Sequence, residues 1–291
     1  MIQAAKYLRP VWDQIHVHLL QLHFLQGDET LYQVICEPGR KAEQKSYIWV
    51  MRSAHQSREP AVYYHYAPTR SGEVAKEIYA GFDGVVQIDG YSGYNKLASD
   101  ITRTGCWAHV RRKFFDAFKG VLDHQAIPIP LGYIDRMFYL ERKVKAMTAE
   151  QRHQFRQIQI APLVTKFWRW IDGLTILPKG ALGRAIQYAL NQRQYLNRLL
   201  DYGELDWSNN ATERSVKRFV MGRKNWLFST SPQGAEANTI FMTVIETAKA
   251  NGLDVFKYLK TLLERLPQLP DFATSHQYQA YLPWNIDLEA D

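Results

Sequence analysis

The chain has 291 residues, a length that allows one large domain or two of ordinary size. Apolar residues make up 46% and charged residues 22% of it, which excludes disorder, collagen and coiled coil as whole-chain structures. Lys and Arg number 36 against 29 Asp and Glu, so the net charge is +7. That surplus suits a polyanionic partner, and it suits equally well a basic surface that only adds solubility.

Cysteine content and hydropathy narrow the class further. The two cysteines, Cys36 and Cys106, cannot build a disulfide framework or a four-cysteine zinc site. The N-terminus lacks the pattern of a secretory signal, and no apolar run approaches the ~20 residues of a membrane span. We therefore expect a soluble, reduced, intracellular protein with no membrane partner.

The N-terminal part changes from a helical to a strand pattern. Residues 7–24 repeat apolar side chains every three or four positions, which predicts a helix. Three segments rich in β-branched and aromatic residues follow, separated by Gly, Pro and charged clusters, and these predict consecutive antiparallel strands. The three segments are residues 30–36, 46–51 and 61–66.

The next segments alternate between helix and strand. Residues 71–82 predict a helix with Ser71 as its N-cap. A strand is predicted at 84–88, a short helical piece at 95–99 and a further strand at 104–109. The order indicates a mixed α/β sheet, with acidic residues near the ends of its first and fourth strands.

From residue 111 to about 202 the periodicity is helical throughout, which predicts an all-helical insertion. More helices are predicted after it, and we expect five regions. These are an N-terminal helix (1–24), the first part of a catalytic core (25–112), the helical insertion (113–205), the second part of the core with a basic segment (206–266) and a tail (267–291).

Two carboxylates are the first candidates for chemistry. Asp28 is predicted to open the first strand and Asp89 to close the fourth. Neighbouring strands can bring two such side chains within reach of a pair of Mg²⁺ ions, together with a third acid from a helix. The alternative is that both aspartates, each beside a glycine, are turn residues.

Seven segments, in order along nearly the whole chain, resemble the transposases of the bacterial insertion-sequence-66 family. The segments are GDET, PTRSGE, VVQIDGYSGYNKL, CWAHVRRKFFDA, NNATERSVKRFVMGRKNWLFS, ETAKANGL and YLPWN. CWAHVRRKF and GRKNWLF are long and unusual in composition, so the likeness is specific.

The resemblance implies a DDE transposase with a ribonuclease-H-like α/β core interrupted by the helical insertion. It places the first two acids on Asp28 and Asp89, which would hold Mg²⁺, with Mn²⁺ as a substitute. It also implies transposon-end and target DNA as partners, a homo-oligomer, accessory proteins of the same element, and a cytoplasmic, nucleoid-associated location in bacteria.

Two glutamates compete for the place of the third acid. Glu213 is predicted in the first turn of a helix, where the helix dipole favours a carboxylate, and it borders the most basic stretch of the chain. Glu246 lies nearly opposite the apolar face of its predicted helix, so we expect it to face solvent or another element. We prefer Glu213; the alternative is a surface ion pair between Glu213 and Lys217.

Two basic clusters with interleaved aromatic residues are candidates for binding DNA. Basic side chains would neutralise phosphates and aromatic rings would stack on an unpaired base. The alternative is a solvated basic face above core aromatics, which we favour for the rings taken one by one. The basic residues are Arg111, Arg112 and Lys113, then Arg214, Lys217, Arg218, Arg223 and Lys224; the aromatic residues are Trp107, Phe114, Phe115, Phe219, Trp226 and Phe228.

Three further features leave alternatives open. Cys106 and His109 have the spacing of half a zinc site, but we see no second half and expect no zinc; the resemblance implies that the pair organises the site beside the DNA. Ser208 stands where many relatives have Asp, and Asp206 is a possible substitute. The resemblance implies an upstream DNA-recognition region, which we expect to be missing here, so a truncated, non-catalytic DNA-binding remnant is the alternative function.

Overall fold

The structure is a computed structural model that describes residues 1–54, 57–119, 128–174, 179–270 and 272–288, without the side chains of 223–226. The chain divides into two compact units. The first unit comprises Met1–Gly84, Ser92–Ile101 and Ala211–Asp291, and the second comprises Val85–Tyr91 and Thr102–Asn210. The second unit is therefore built from two segments of the central part of the chain, separated by a segment that belongs to the first unit.

The elements follow one another in an alternating order and then become helical. The strands are β1 (Phe24–Gln33), β2 (Lys45–Ser53), β3 (Val62–Ala67), β4 (Val85–Gln87) and β5 (Thr102–Thr104). The helices are α1 (Ile2–Leu20), α2 (Gly72–Ile78), α3 (Trp107–Phe118), α4 (Ile129–Lys143), α5 (Ala149–Phe155), α6 (Ala161–Asp172), α7 (Gly180–Asn197), α8 (Asn210–Trp226), α9 (Pro232–Ala250), α10 (Val255–Arg265) and α11 (Ser275–Gln279).

The first unit contains the antiparallel strands β1, β2 and β3, as the sequence predicts. β1, however, begins six residues before the predicted start. Leu25 pairs with Ser53 and Gly27 with Met51, so the Gly-Asp pair is part of the ladder and not a turn. Asp28 consequently lies inside β1, opposite Val50, and its predicted position at the opening of the strand is wrong.

Helices cover both faces of these three strands. Trp12 of α1 packs against Tyr63 with ring centroids 4.7 Å apart, and on the other face the Phe219 ring of α8 lies 5.8 Å from that of Tyr64. α9 covers the outer edge of β3: the Tyr64 N–H donates to Thr243 Oγ1 at 2.9 Å and the Val62 N–H to Thr247 Oγ1 at 3.1 Å. Threonine side chains thus satisfy edge groups that would otherwise offer a template for another strand.

The second unit pairs β4 and β5 in parallel and is otherwise helical. The predicted strand at 104–109 is wrong beyond its first residue, because β5 ends at Thr104 and α3 begins at Trp107. His109 is therefore helical. The Trp107 indole is fully buried and stacks on Trp207 at 5.8 Å, in a cluster that includes Phe114 and Phe167.

Strands and helices occur in both units, and both parallel and antiparallel pairs are present, so the predicted mixed α/β class is confirmed. The predicted N-cap of α2 is also confirmed, since the Ser71 side chain accepts a hydrogen bond from the Glu73 N–H. Among the described residues, no helix combines the length and the apolar character that crossing a bilayer requires.

Candidate active site and nucleic-acid interface

Asp28 lies on the face of β1 that α8 covers. Its side chain is partly buried, and its Oδ1 accepts the N–H of Glu29 at 2.8 Å. Gln26 and Tyr32 share this face because side chains alternate along a strand. Thr212 of α8 donates to Gln26 Oε1 at 3.3 Å, and the rings of Phe219 and Tyr32 meet at 5.3 Å. The first three turns of α8 therefore follow the face of β1 that carries Asp28.

Glu213 stands in the first turn of α8, directly after Thr212. Arg52 of β2 donates to the Ala211 carbonyl at 2.9 Å and to Ser215 Oγ at 3.2 Å, so one flank of α8 faces β2. Glu213 is about 200° around the helix from Ala211, on the other flank. Within the first unit, Glu213 and Asp28 thus belong to two elements in direct contact, the first turn of α8 and the middle of β1.

Glu246 faces another element, which is one of the two environments expected for it, but it is not near solvent. Its side chain is only 2% exposed. One carboxylate oxygen accepts a hydrogen bond from Arg218 of α8, and the other bonds to Lys249 Nζ at 2.9 Å. Helical periodicity missed this burial because Thr243 and Thr247, which face β3, widen the buried side of α9 beyond its apolar residues.

Glu29 is a buried acid that the sequence analysis overlooked. It follows Asp28 but points to the opposite face of β1, as strand alternation requires. Arg70 binds its Oε1 with Nε at 2.8 Å, and the Tyr94 hydroxyl donates to Oε2 at 2.6 Å. Burial and the Glu29 charge raise the pKa of Tyr94 well above its usual value, which keeps it a donor. The motifs GDET, PTRSGE and YSGYNK therefore meet at one ion pair.

Asp89 belongs to the second unit and follows β4 after one residue. Its Oδ1 accepts the Tyr91 N–H at 2.9 Å, the bond of an Asx turn, and its side chain is partly exposed. Gly90 packs closely against α7: a Cβ at this position would lie 2.7 Å from a ring carbon of Tyr188. Burial raises the pKa of Tyr188, and the Asp89 charge adds to the effect. The turn that presents Asp89 is thus held by α7.

Cys106 and Asp206 both have partners inside the second unit. Cys106 is buried before α3, and its Sγ accepts the N–H of Asn209 at 3.2 Å. The Asp206 carboxylate accepts from Arg152 at 3.2 Å, and its carbonyl accepts from Gln87 of β4 at 2.8 Å. Asp206 is therefore already engaged in holding its segment, which argues against the idea that it substitutes for the Asp missing at position 208.

The first basic cluster borders a cavity of about 600 Å³ in the second unit. Arg111 and Arg112 line it together with Phe115, and Arg111 bonds to Asp135 at 2.5 Å. Lys113 points elsewhere, with its Nζ 4.6 Å from the ring centre of Tyr188. The cluster is thus divided between a cavity and the α7 surface rather than forming one continuous face.

The aromatic candidates divide by burial. Trp107, Phe114 and Phe219 are core residues, as the alternative interpretation of these rings holds. Phe115 and Phe228 are 40% and 39% exposed. Trp226, Arg223 and Lys224 lie in α8, but their side chains are outside the described part of the structure.

The remaining basic candidates lie on α8 in the first unit. Arg214, Lys217 and Arg218 are all exposed. Lys217 stands four residues after Glu213, the spacing of the surface ion pair considered as an alternative for that acid.

Comparison with known proteins identifies the family. Residues 1–237 match the family described as Transposase IS66 family, and residues 243–284 match the IS66 C-terminal element. Two proteins of Sinorhizobium fredii (strain NBRC 101917 / NGR234) are similar: "Uncharacterized protein y4jD" is 31% identical over 97% of this chain and 57% of its own length, and "Uncharacterized protein y4qI" is 30% identical over 91% and 51%.

The chain thus spans about half the length of these curated relatives, 51% to 57%. No solved structure matches it. The two family matches together cover nearly all of the sequence, and they contain every candidate site residue named above. The chain belongs to the IS66 family of transposases.

Proposed function

We propose that this chain is the catalytic part of a DDE transposase, which cleaves DNA at the ends of an insertion sequence and joins them to target DNA. Asp28, Asp89 and Glu213 are the proposed catalytic carboxylates, on a ribonuclease-H-like core. The observation that carries the proposal is the packing of α8 along β1, because it brings the turn that bears Glu213 onto the face that bears Asp28.

The proposed acids suit a divalent ion. Asp28 and Asp89 are partly exposed carboxylates, and hard oxygen ligands of this kind are those that Mg²⁺ and Mn²⁺ prefer. When bound, such ions would activate an attacking hydroxyl group and stabilise the charge that develops in phosphoryl transfer. The chain's part is to hold the carboxylates on a strand, a turn fixed by α7 and a helix, so that their orientation is set before the substrate arrives.

The environment of Glu246 supports Glu213 as the third acid. Both oxygens of Glu246 already bind cations, and the side chain is 2% exposed. A metal ion at Glu246 would have to displace Arg218 and Lys249 from a buried carboxylate, which is costly.

The proposed DNA contacts are the basic residues and one indole predicted from the sequence. Positive charge on α3 and α8 would bind the backbone of transposon-end and target DNA. A homo-oligomer and accessory proteins of the same element are further proposed partners. The proposed contact residues are Arg111, Arg112, Lys113, Arg214, Lys217, Arg218, Arg223, Lys224 and Trp226.

Calorimetric titration with Mn²⁺ tests the metal site. Asp89→Asn should abolish binding that the wild-type chain shows, because it removes a ligand charge. Asp172→Asn is the matched control, since Asp172 is an exposed carboxylate paired with Arg193 at 2.8 Å and should leave Mn²⁺ binding unchanged. Equal Mn²⁺ binding by the wild type and Asp89→Asn would contradict the proposal that Asp89 is a metal ligand.

A salt titration tests the DNA interface. Replacing Lys217, Arg218 and Lys224 by Gln should lower the slope of log affinity against log salt by about 2–3, because fewer counterions are released. Lys257→Gln with Lys260→Gln, two exposed residues of α10 in the same unit, is the control and should leave the slope near its wild-type value. An unchanged slope in the α8 variant would show that this helix faces away from DNA.

A further inference from the structure

A basic pocket of about 600 Å³ opens in the first unit beside α8 and α9, and none of the three proposed catalytic carboxylates lines it. Its lining contains five basic side chains and one acid, so its field is strongly positive. The charged lining residues are Arg52, Arg58, Arg214, Arg218, Lys249 and Glu246. Three of them, Arg52, Arg58 and Lys249, had no proposed role.

Glu246 organises the inner wall of this pocket. The acid is buried, whereas the side chains of Arg218 and Lys249 that bind it are 55% and 50% exposed. A guanidinium has five N–H donors and an ammonium has three, so bonding to Glu246 leaves donors of both groups for a ligand. The buried acid therefore restrains two cations whose outer sides remain accessible.

Arg52 is restrained in the same way from the β2 side. Its guanidinium bonds to the Ala211 carbonyl at 2.9 Å and to Ser215 Oγ at 3.2 Å, both in the first two turns of α8. Arg58 and Arg214 are exposed side chains that complete the lining. Arginines held in a fixed orientation lose less conformational entropy when they bind an anion, and their planar groups match phosphate oxygens.

We propose that this pocket binds a phosphate group of the DNA backbone, an inference that rests on the proposed DNA-binding function. No aromatic side chain of the described residues lines it, so it has no platform on which a base could stack. Contacts to phosphate position a protein on DNA without reading sequence. The pocket is therefore a sequence-independent anchor for the duplex, and its lining contains none of the proposed catalytic carboxylates.

The decisive variant is Arg58→Gln combined with Lys249→Gln, since neither residue is among the contacts proposed above. Binding of a labelled DNA duplex is followed by fluorescence anisotropy at several salt concentrations. The slope of log affinity against log salt should fall by about 1–2, equally for a transposon-end duplex and a random one. Lys257→Gln with Lys260→Gln removes the same charge from α10 and should leave the slope unchanged; thermal melts confirm folding.

Inorganic phosphate provides a second measurement. At constant ionic strength it should raise the Tm of the wild type more than that of the Arg58/Lys249 variant, because a ligand that binds only the folded state stabilises it. Equal stabilisation of both proteins, or an unchanged salt slope in a folded variant, would overturn the proposal that this pocket binds phosphate.

The pocket and the proposed function can fail separately. If the wild type cuts DNA and the pocket variant keeps the full slope, the pocket is refuted and the transposase proposal stands. If Asp28→Asn cuts as well as the wild type while the pocket variant loses slope, the catalytic assignment is refuted and the pocket is supported.

Discussion

The two units each bury an ionic centre, but only the second buries the bases together with the acid. In the first unit the acid, Glu246, is buried and its bases are half exposed. In the second unit Arg156 is fully buried, Arg152 is 3% exposed and the side chain of their acid, Glu141, is 9% exposed. Arg156 grips Glu141 with two bonds of 2.6 and 2.9 Å, and Arg152 binds Asp206 at 3.2 Å.

Arg156 of the second unit uses its five donors on the chain itself. Arg156 donates to the carbonyls of Leu199, Tyr202 and Leu205, and its guanidinium carbon lies 5.4 Å from the ring centre of Trp207. These residues form the segment that leads from α7 towards α8. Because these bonds and those to Glu141 use all the N–H donors of Arg156, none remains for a ligand. Its role is to hold that segment in place.

The contrast separates structural charge from charge that is available for binding. A buried base whose donors all meet carbonyl and carboxylate oxygens of the chain holds the fold, whereas a buried acid beneath exposed bases orients positive charge towards solvent. Both centres would appear in the sequence as the same charged residues, and only burial distinguishes them.

Arg156→Met should produce the largest loss of stability. It would leave Glu141 and the carbonyls of Leu199 and Tyr202 without their bonds from Arg156, while the Leu205 carbonyl keeps its bond from Arg152. Breaking a buried pair in this way costs about 3–5 kcal/mol. The free energy of unfolding, measured by urea denaturation, checks the value. A loss below about 1 kcal/mol would mean that the buried network contributes little and that the contrast between the units is not one of stability.

Glu246→Gln should cost less, about 2 kcal/mol, the worth of hydrogen bonds to a charged group. Its partners Arg218 and Lys249 are half exposed, so water can solvate them once the charge is gone. The same urea measurement applies. A loss as large as that of Arg156→Met would show that burying the bases does not increase the contribution of these ion pairs to stability.

Acid should destabilise the first unit through histidines that are half-buried without an acid pair. Burial lowers the pKa of His65 to about 4, with the His16 charge contributing and Glu236 opposing, and burial also lowers the pKa of His16. Because the unfolded chain takes up protons first, stability is full above about pH 6.5 and falls between that pH and about 4.

Between pH 7 and 5.5 the loss due to His65 should be about 1 kcal/mol. His65→Gln should flatten this part of the stability curve against pH, as measured by thermal melts in matched buffers. If the variant and the wild type show the same slope, His65 is not the group that takes up the proton.

The smallest effect should come from Arg193→Gln, in the exposed pair with Asp172 of the second unit. The two side chains are 41% and 48% exposed, so the pair should be worth about 0.5 kcal/mol or less. Raising the salt concentration should remove even that difference. A loss above about 2 kcal/mol would show that exposure is a poor guide to the worth of these ion pairs.

The sequence predicted the strands of the first unit because their apolar and aromatic residues are continuous; three antiparallel strands were found, and β2 and β3 lie within two residues of their predicted bounds. It misplaced the start of β1 because Gly27 and Asp28 have the composition of a turn, whereas pairing with β2 keeps them extended. The contact of α8 with β1 joins residues 186 apart in the chain, Gln26 and Thr212, and no local pattern encodes it.

The periodicity of apolar residues likewise did not predict which charged side chains are buried. Glu29, Glu246 and Arg156 are typical surface residues by composition, and each is buried because partners of opposite charge on other elements satisfy it. The family resemblance supplied Asp28 and Asp89, and helix position favoured Glu213; all three remain predictions, whereas the ion pairs of Glu29, Glu246 and Arg156 required coordinates.

Cleavage of a transposon-end DNA duplex in Mn²⁺ by two variants tests the catalytic proposal most directly. At saturating DNA, Glu213→Gln should bind the duplex and fail to cut it, and its melting temperature without metal should match or slightly exceed that of the wild type, because carboxylate repulsion is relieved. Glu246→Gln should cut at a near-normal rate. An inactive Glu246→Gln beside an active Glu213→Gln would contradict the assignment, and a wild type that binds DNA without cutting it would favour the non-catalytic remnant.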